Sequence, residues 1–443
     1  MIGMRGILLL LTFPLLHVGC SPASRDGDGA CCASATCTVR AENSGRVEEP
    51  HVAIDAEGRL VGVWAAVSDD GSADILFSRY DSSGPGWATP RCVQPTGHTA
   101  VAGRQVGPRL AVARDGDIFV SWVDRDRDPT GDILFSRSPN GGRSFGEPVR
   151  VNDDESAMTG QEYHGVAIAS DGAIGVVWLD ERDAPPTYPN QKQVYFSSSS
   201  DGGRSFSKNR ALTSSDRGVC PCCRPSISAG DDGALHVIYR DRVDDTLFIR
   251  MLTRAPGESH FSPAVTLSDG WKFPACPVNG PGVAAGPNGT VWAAWVEGEG
   301  ESETLWWARS DDEGVSFTVG KSVNAGDAPS SGVAGVTRLA LTALPTESSQ
   351  SGAVAVWEDR TGAVWTALLP VDGGPPRRPP LRVAGGGTVA ARSPSVAASS
   401  RIISLCWIEE STLSVVEGPL RLAPRFPTYQ RFAVSIDGLS LLP

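Results

Sequence analysis

Along most of the chain, short apolar runs alternate with polar positions and are broken by glycine-containing turns. No 3.6-residue periodicity of any length competes with this pattern, which predicts strands throughout and an all-β protein. One stretch reads Gly107-Pro-Arg-Leu-Ala-Val-Ala-Arg-Asp-Gly-Asp-Ile-Phe-Val-Ser-Trp-Val-Asp-Arg125, and His164 to Arg182 repeats its logic. An apolar run meets a two-residue turn (Glu57-Gly58, Asp115-Gly116, Asp171-Gly172, Asp232-Gly233, Asn288-Gly289). Glycine after Asp or Asn tolerates the positive φ that a tight hairpin demands. A second strand then runs to an aromatic residue, which recurs at Trp64, Trp122, Trp178, Tyr239, Trp295, Trp357 and Trp407. A third follows, nearly duplicated as Asp74-Ile-Leu-Phe-Ser-Arg79 and Asp132-Ile-Leu-Phe-Ser-Arg137.

A repeat of about fifty to sixty residues suits one four-stranded propeller blade. Seven strand-ending aromatics predict a seven-bladed β-propeller; six blades with an irregular C-terminal extension is the alternative. Thr38-Val-Arg40 matches the fourth-strand end Val149-Arg-Val151 and precedes the first blade. It is expected to complete the last blade, so that an N-terminal strand closes the ring and leaves no free edge.

After the third strands come Ser138-Pro-Asn-Gly-Gly-Arg-Ser-Phe145, Ser199-Ser-Asp-Gly-Gly-Arg-Ser-Phe206 and Ser310-Asp-Asp-Glu-Gly-Val-Ser-Phe317. These resemble the Asp box, Ser-x-Asp-x-Gly-x-Thr-Trp, of sialidases and their relatives. The resemblance implies a sialidase-like propeller over about residues 37 to 420. It does not reach the catalytic apparatus. Sialidases open the first blade with Arg-Ile-Pro, where this chain has Glu48-Glu-Pro-His51, and their tyrosine nucleophile has no matching motif here. A narrower resemblance rests on Cys220-Pro-Cys-Cys-Arg-Pro225, Tyr239-Arg-Asp-Arg242 and Cys276-Pro-Val-Asn-Gly-Pro281. Together these are similar to bacterial secreted sialidase-like propellers of unassigned activity.

The first twenty residues stand apart from the repeats. Arg5 precedes an apolar run, Ile7 to Val18, too short to span a bilayer. The run ends His17-Val18-Gly19-Cys20, which resembles a bacterial lipobox and implies lipidation at Cys20, with ordinary secretion as the alternative. The chain is thus expected to divide into a signal peptide (1–20), a tether (21–36) and a single propeller domain (37–443). The expected location is outside the cytoplasm, anchored in a membrane through the N-terminal lipid at the periplasm or cell surface. A formal net charge of −12, with no basic stripe, excludes nucleic acid as a partner.

In a meander the Asp-Gly turns and octapeptides share one face of the ring. Second-to-third loops and blade junctions share the other, and that face carries the charge. Asp124, Asp180, Asp241 and Glu358 are the carboxylates that could serve acid–base chemistry. Arg125, Arg182, Arg224, Arg240, Arg242 and Arg360, with Tyr163 and Asn279, are candidates for holding a carbohydrate, peptide or protein ligand. Each Asp or Arg has a plainer alternative, an ion pair repeated because the fold repeats. Two functions follow: a surface binding or assembly propeller, or a glycoside hydrolase working from those carboxylates.

Export permits disulfides. Besides Cys20 the chain has Cys31, Cys32, Cys37, Cys92, Cys220, Cys222, Cys223, Cys276 and Cys406, an odd number that cannot all pair within one chain. Cys276 is expected to approach Cys222 or Cys223 at the mouth. Disulfides, a soft-metal site in which Cys222, Cys223, Cys276 and His164 bind Cu(I) or Zn, and a redox-active thiol all fit these residues. No cofactor is otherwise indicated.

Overall fold

In the computed structural model the described residues are 46–434, except 85, 95–98, 104, 156–157, 185–190, 215–217, 273–278, 299–302, 321–335, 346–351, 373, 375, 377–379, 386–389, 401, 410–411, 420–431. Cys20, Cys31, Cys32, Cys37, Thr38 to Arg40 and Cys276 therefore lie outside them. The described elements are all strands, in seven antiparallel sheets, each a four-stranded meander. Their inner strands are Arg46–Ile54, Arg109–Val112, Gln161–Ile168, Ser226–Ala229, Gly282–Ala285, Val336–Ala343 and Ala391–Ala398, defining blades one to seven. Short extra strands flank blade one (Arg91–Cys92) and blade four (Trp271–Lys272).

The hydrophobic core lies between the blades. Side chains on successive strand positions point to opposite sides of a sheet, so each blade feeds two interfaces. Val61, Val63 and Ala65 pack with Ile118, Val120 and Trp122 of blade two, whereas Leu60 and Trp64 face blade seven. Second strands are covered on both faces, and Ile118–Asp124 and Ile174–Asp180 are buried at every position. That explains why they read as continuous apolar runs ending in a buried indole. Seven such clusters join consecutive blades, the last uniting Val47, Val52 and Trp64 with Ala397, Cys406 and Ile408. The ring is closed, and its blades number seven.

The expected closing strand, Thr38 to Arg40, lies outside the described residues. The outer strand of blade seven is Phe432–Val434, paired with Leu413 to Val415. It was illegible in sequence because it is three residues long and follows Pro419 at a distance. Blade seven thus takes its fourth strand from its own end of the chain. It meets blade one through side chains, including the Val52 N–H donating to Ser395 Oγ at 3.1 Å.

The octapeptide turns are held as their residue types dictate. Ser199 Oγ accepts the Gly203 N–H at 2.9 Å, and Asp201 accepts the Ser205 N–H at 3.0 Å. Phe145 and Phe206 then pack edge-on against Phe77 and Phe135 of the preceding blade, at 5.4 and 5.1 Å between ring centroids. Phe261 makes the same contact with Phe196 at 5.0 Å without a preceding octapeptide. These turns join blades and share a face with the Asp/Asn-Gly turns, since the Glu313 N–H donates to Gly289 O at 3.0 Å.

Candidate functional site

At their opening ends, on the opposite face, the inner strands are irregular. Pairing slips at Glu48/His51, Glu162/Gly165, Val336/Arg338 and Arg392/Ser395, and Glu49, Tyr163 and Ser393 adopt positive φ. Five blades carry a proline there, in Glu49-Pro-His51, Gly107-Pro-Arg109, Arg224-Pro-Ser226, Gly280-Pro-Gly282 and Ser393-Pro-Ser395. Proline donates no ladder bond and suits such a slip. The residue before it is thereby turned towards the ring axis. Where that residue is glycine, a neighbour requires it: a Cβ on Gly107 would meet Glu49 Cβ at 2.2 Å, and one on Gly280 would meet Arg224 O at 2.2 Å.

These openings surround a cavity of about 110 Å³ on the axis, lined by Glu49, His51, Gln105, Arg109, Arg224 and Arg338 among others. A water needs only about 10–15 Å³ measured this way, so the space has room for several waters or a charged group. Arg338 donates to Glu49 Oε1 at 2.7 Å and to Glu358 Oε2 at 3.1 Å, and Glu358 Oε2 also accepts the Ser393 N–H at 2.7 Å. Gln105 crosses the axis: its N–H donates to Glu49 at 3.2 Å and its Oε1 accepts the Gly280 N–H at 3.0 Å. Arg109 donates to the carbonyls of Pro108 and Gln105 at 2.8 and 3.0 Å.

Arg224 is different. Among the described residues its guanidinium has no hydrogen-bond acceptor and no ion pair, and burial depresses its pKa against a raising influence from Glu49. Beside it, burial and the Arg224 charge push His51 down to about 3. His51 Nδ1 accepts the Leu110 N–H at 3.2 Å, which assigns the ring proton to Nε2. The cavity therefore offers a guanidinium and an imidazole N–H without an acid of its own for Arg224.

The four candidate carboxylates do not line this cavity. Asp124 accepts the Trp122 indole N–H at 3.2 Å and Thr99 Oγ1–H at 2.9 Å. Asp180 accepts Trp178 at 2.7 Å and both Nε and Nη2 of Arg182, at 3.0 and 2.9 Å. Asp241 pairs with Arg250 at 2.6 Å, and Glu358 with Arg338. The Trp-x-Asp spacing places indole and carboxylate on one strand face, so Asp124 and Asp180 close the second strands of their blades. Of the candidate ligand-holding residues, Arg224 alone lines the cavity. Arg125 faces Glu162 at 3.8 Å, Arg360 pairs with Glu303 at 2.6 Å, Arg242 donates to Asp244 O at 2.9 Å, and Tyr163 lies under Lys192. Sequence reasoning missed His51, Gln105 and Arg109 as site residues; the recurring x-Pro-x at the blade openings is the signal that marks two of them.

Arg240 and Asn279 belong to a second cluster. Cys223 Sγ lies 3.5 Å from Cys220 Sγ, which lies 3.9 Å from Cys222 Sγ. Buried Arg240 donates to Cys223 Sγ at 3.1 Å, to Asn279 Oδ1 at 2.6 Å and to Val296 O at 3.0 Å, with its guanidinium 5.2 Å from the Trp271 ring centre. Burial alone would raise the Cys223 thiol, but the Cys220 hydrogen bond and the Arg240 charge bring it below the usual thiol range. No disulfide joins two described cysteines; Cys222 is disulfide-bonded to a partner outside them. His164, 1% exposed, has no hydrogen-bonded ring nitrogen among the described groups and is not one of the three residues of this cluster.

No known sequence family and no curated protein matches the chain. Solved structures are similar to it. A Hadza microbial sialidase shares 14% identity at a TM-score of 0.48, over 81% of this chain and 73% of the other. The NanB sialidase of Streptococcus pneumoniae shares 8% at 0.47, over 83% and 91%. An α-L-arabinanase of Penicillium chrysogenum shares 16% at 0.44, over 71% and 93%. Strand pairing establishes the propeller here; at such identities no residue role carries over.

Proposed function

We propose that this chain is an exported, lipid-anchored propeller that binds an acidic ligand, a carboxylate-bearing glycan or peptide, at its axial mouth. The observation that carries the reading is the Arg224 guanidinium, which faces the cavity without a hydrogen-bonding acid among the described residues. A half-buried guanidinium without a hydrogen-bonding acid is open to a carboxylate, which offers it two parallel hydrogen bonds. His51 Nε2 supplies a third donor. In this reading the acid group enters the cavity and the rest of the ligand lies across the charged rim. Binding is favoured over hydrolysis because Asp124, Asp180, Asp241 and Glu358 are each engaged by an indole, an arginine or both.

Calorimetry of the purified chain against oligogalacturonate, N-acetylneuraminate and a glutamate-rich peptide tests this. At least one should bind, and Arg224→Met should weaken it about tenfold to a hundredfold, the range for a charge-assisted pair. Equal binding by the variant, or no binding by any acid, overturns the reading.

A further inference from the structure

The first three blade junctions share one contact that the fourth omits. In blades one, two and three the third-strand residues Phe77, Phe135 and Phe196 pair with Arg91, Val149 and Arg210. Their rings meet Phe145, Phe206 and Phe261 of the following blade. They also fill the space under the octapeptide glycines: a Cβ on Gly142 would run into the Phe77 ring, and one on Gly203 into the Phe135 ring. In blade four the same strand position holds Met251, paired with Val265. Under Gly314 of the blade five octapeptide the nearest atoms are Thr253 Oγ1 and His236 Nδ1, and no phenyl ring lies there.

A cavity of about 430 Å³ opens beside Gly314, with Phe261, Pro263, Val265 and Val315 on its walls. About 150 Å³ of apolar cavity already takes a benzene ring. Its polar floor is satisfied internally, since His236 Nδ1 and Thr253 Oγ1 lie 3.1 Å apart. Val315 is 72% exposed at its edge, and Val319 follows at 47%. Neighbouring exposed apolar side chains beside a pocket mark a binding surface. Glu258 and Glu313 also line the cavity, and no lysine or arginine does. Among the described residues neither carboxylate has an ion pair. We propose that this cavity binds an aromatic side chain from a basic segment of a partner protein, the ring entering beside Gly314 and flanking cations meeting Glu258 and Glu313.

Shape and charge select the same occupant. The partner's ring takes the place that phenylalanine fills within the chain at the earlier junctions. Two carboxylates favour lysine or arginine beside that ring and repel an acidic segment. The cavity lies with the octapeptide turns, on the face opposite the axial mouth, so its occupancy does not depend on the acid site at Arg224.

Fluorine NMR of acetyl-Lys-(para-fluoro-Phe)-Lys amide, titrated with the full chain, tests this. The resonance should broaden saturably, and unlabelled acetyl-Lys-Phe-Lys amide should displace the probe. Acetyl-Lys-Ala-Lys amide should compete about tenfold less well, the loss expected for a buried ring. Glu258→Gln combined with Glu313→Gln should weaken the probe about threefold to tenfold. Thr253→Phe, which supplies a ring beside Gly314 from within the chain, should abolish binding. Val315→Ser, at an exposed position, should weaken it with an unchanged melting temperature. No saturable broadening, equal competition by the alanine peptide or by acetyl-Glu-Phe-Glu amide, or full binding by both Thr253→Phe and Val315→Ser overturns the proposal. A concentration-dependent dimer that Val315→Ser dissolves would give the face to a second copy of the chain and overturn the choice of partner.

Discussion

Arg338 of blade six donates to Glu49 of blade one at 2.7 Å, across a sequence separation of 289 residues. The same guanidinium holds Glu358, which accepts the Ser393 N–H of blade seven. One side chain thus ties together blades one, six and seven. Arg338→Met should leave two carboxylates without their cation and cost about 3 kcal/mol of stability. Urea unfolding measures it. A loss under about 0.5 kcal/mol would show that side-chain packing alone closes the ring.

Histidines set the acid limit of the fold. Burial holds His51 at about 3 and His164 and His236 at about 4, against 6.5 for an ordinary histidine. The unfolded chain therefore binds more protons than the folded one between about pH 6.5 and 4. The contribution of the neutral rings is complete above 6.5 and declines as pH falls through that window. Each histidine changes the folding equilibrium up to about tenfold per pH unit there. The urea midpoint should fall steeply from pH 6.5 to 4.5, and less steeply in His164→Gln. A flat midpoint over that range contradicts the assignment.

Catalysis on a sialoside is not expected. Asp124 and Asp180 are the indole-bound ends of their strands, and no Arg-Ile-Pro opens blade one. A fluorogenic sialoside should remain intact beyond the rate of a no-enzyme control. Turnover abolished by Asp180→Asn in a folded protein would restore the hydrolase reading.

The proposed anchoring rests on the lipobox-like Gly19-Cys20. Cys20→Ser should release the protein from the membrane fraction or block its processing. Unchanged fractionation and mature mass would remove the lipid from the proposal.

The blade number was legible because each second strand ends in an aromatic that two neighbouring blades must bury, from Trp64 to Trp407. The rim charge was legible for the same reason, in Trp-x-Asp. Its chemical use was not. Spacing cannot distinguish Asp180, consumed by Trp178 and Arg182, from Arg224, which lacks an acceptor, because the difference lies in partners far off in sequence. His51 and Gln105 were illegible because they reach the axis through slipped or positive-φ backbone, Gln105 at φ 71°. The three-residue closing strand Phe432–Val434 carries no periodicity to read.

Binding of an acid at Arg224 is tested most directly by a crystal structure of the chain grown with whichever acidic ligand calorimetry ranks first. The carboxylate should lie in the axial cavity, within about 2.7–2.9 Å of the Arg224 guanidinium nitrogens, with His51 Nε2 donating to the same group. A ligand bound elsewhere while that cavity holds only water, or Arg224 paired with a carboxylate of the chain itself, would contradict it.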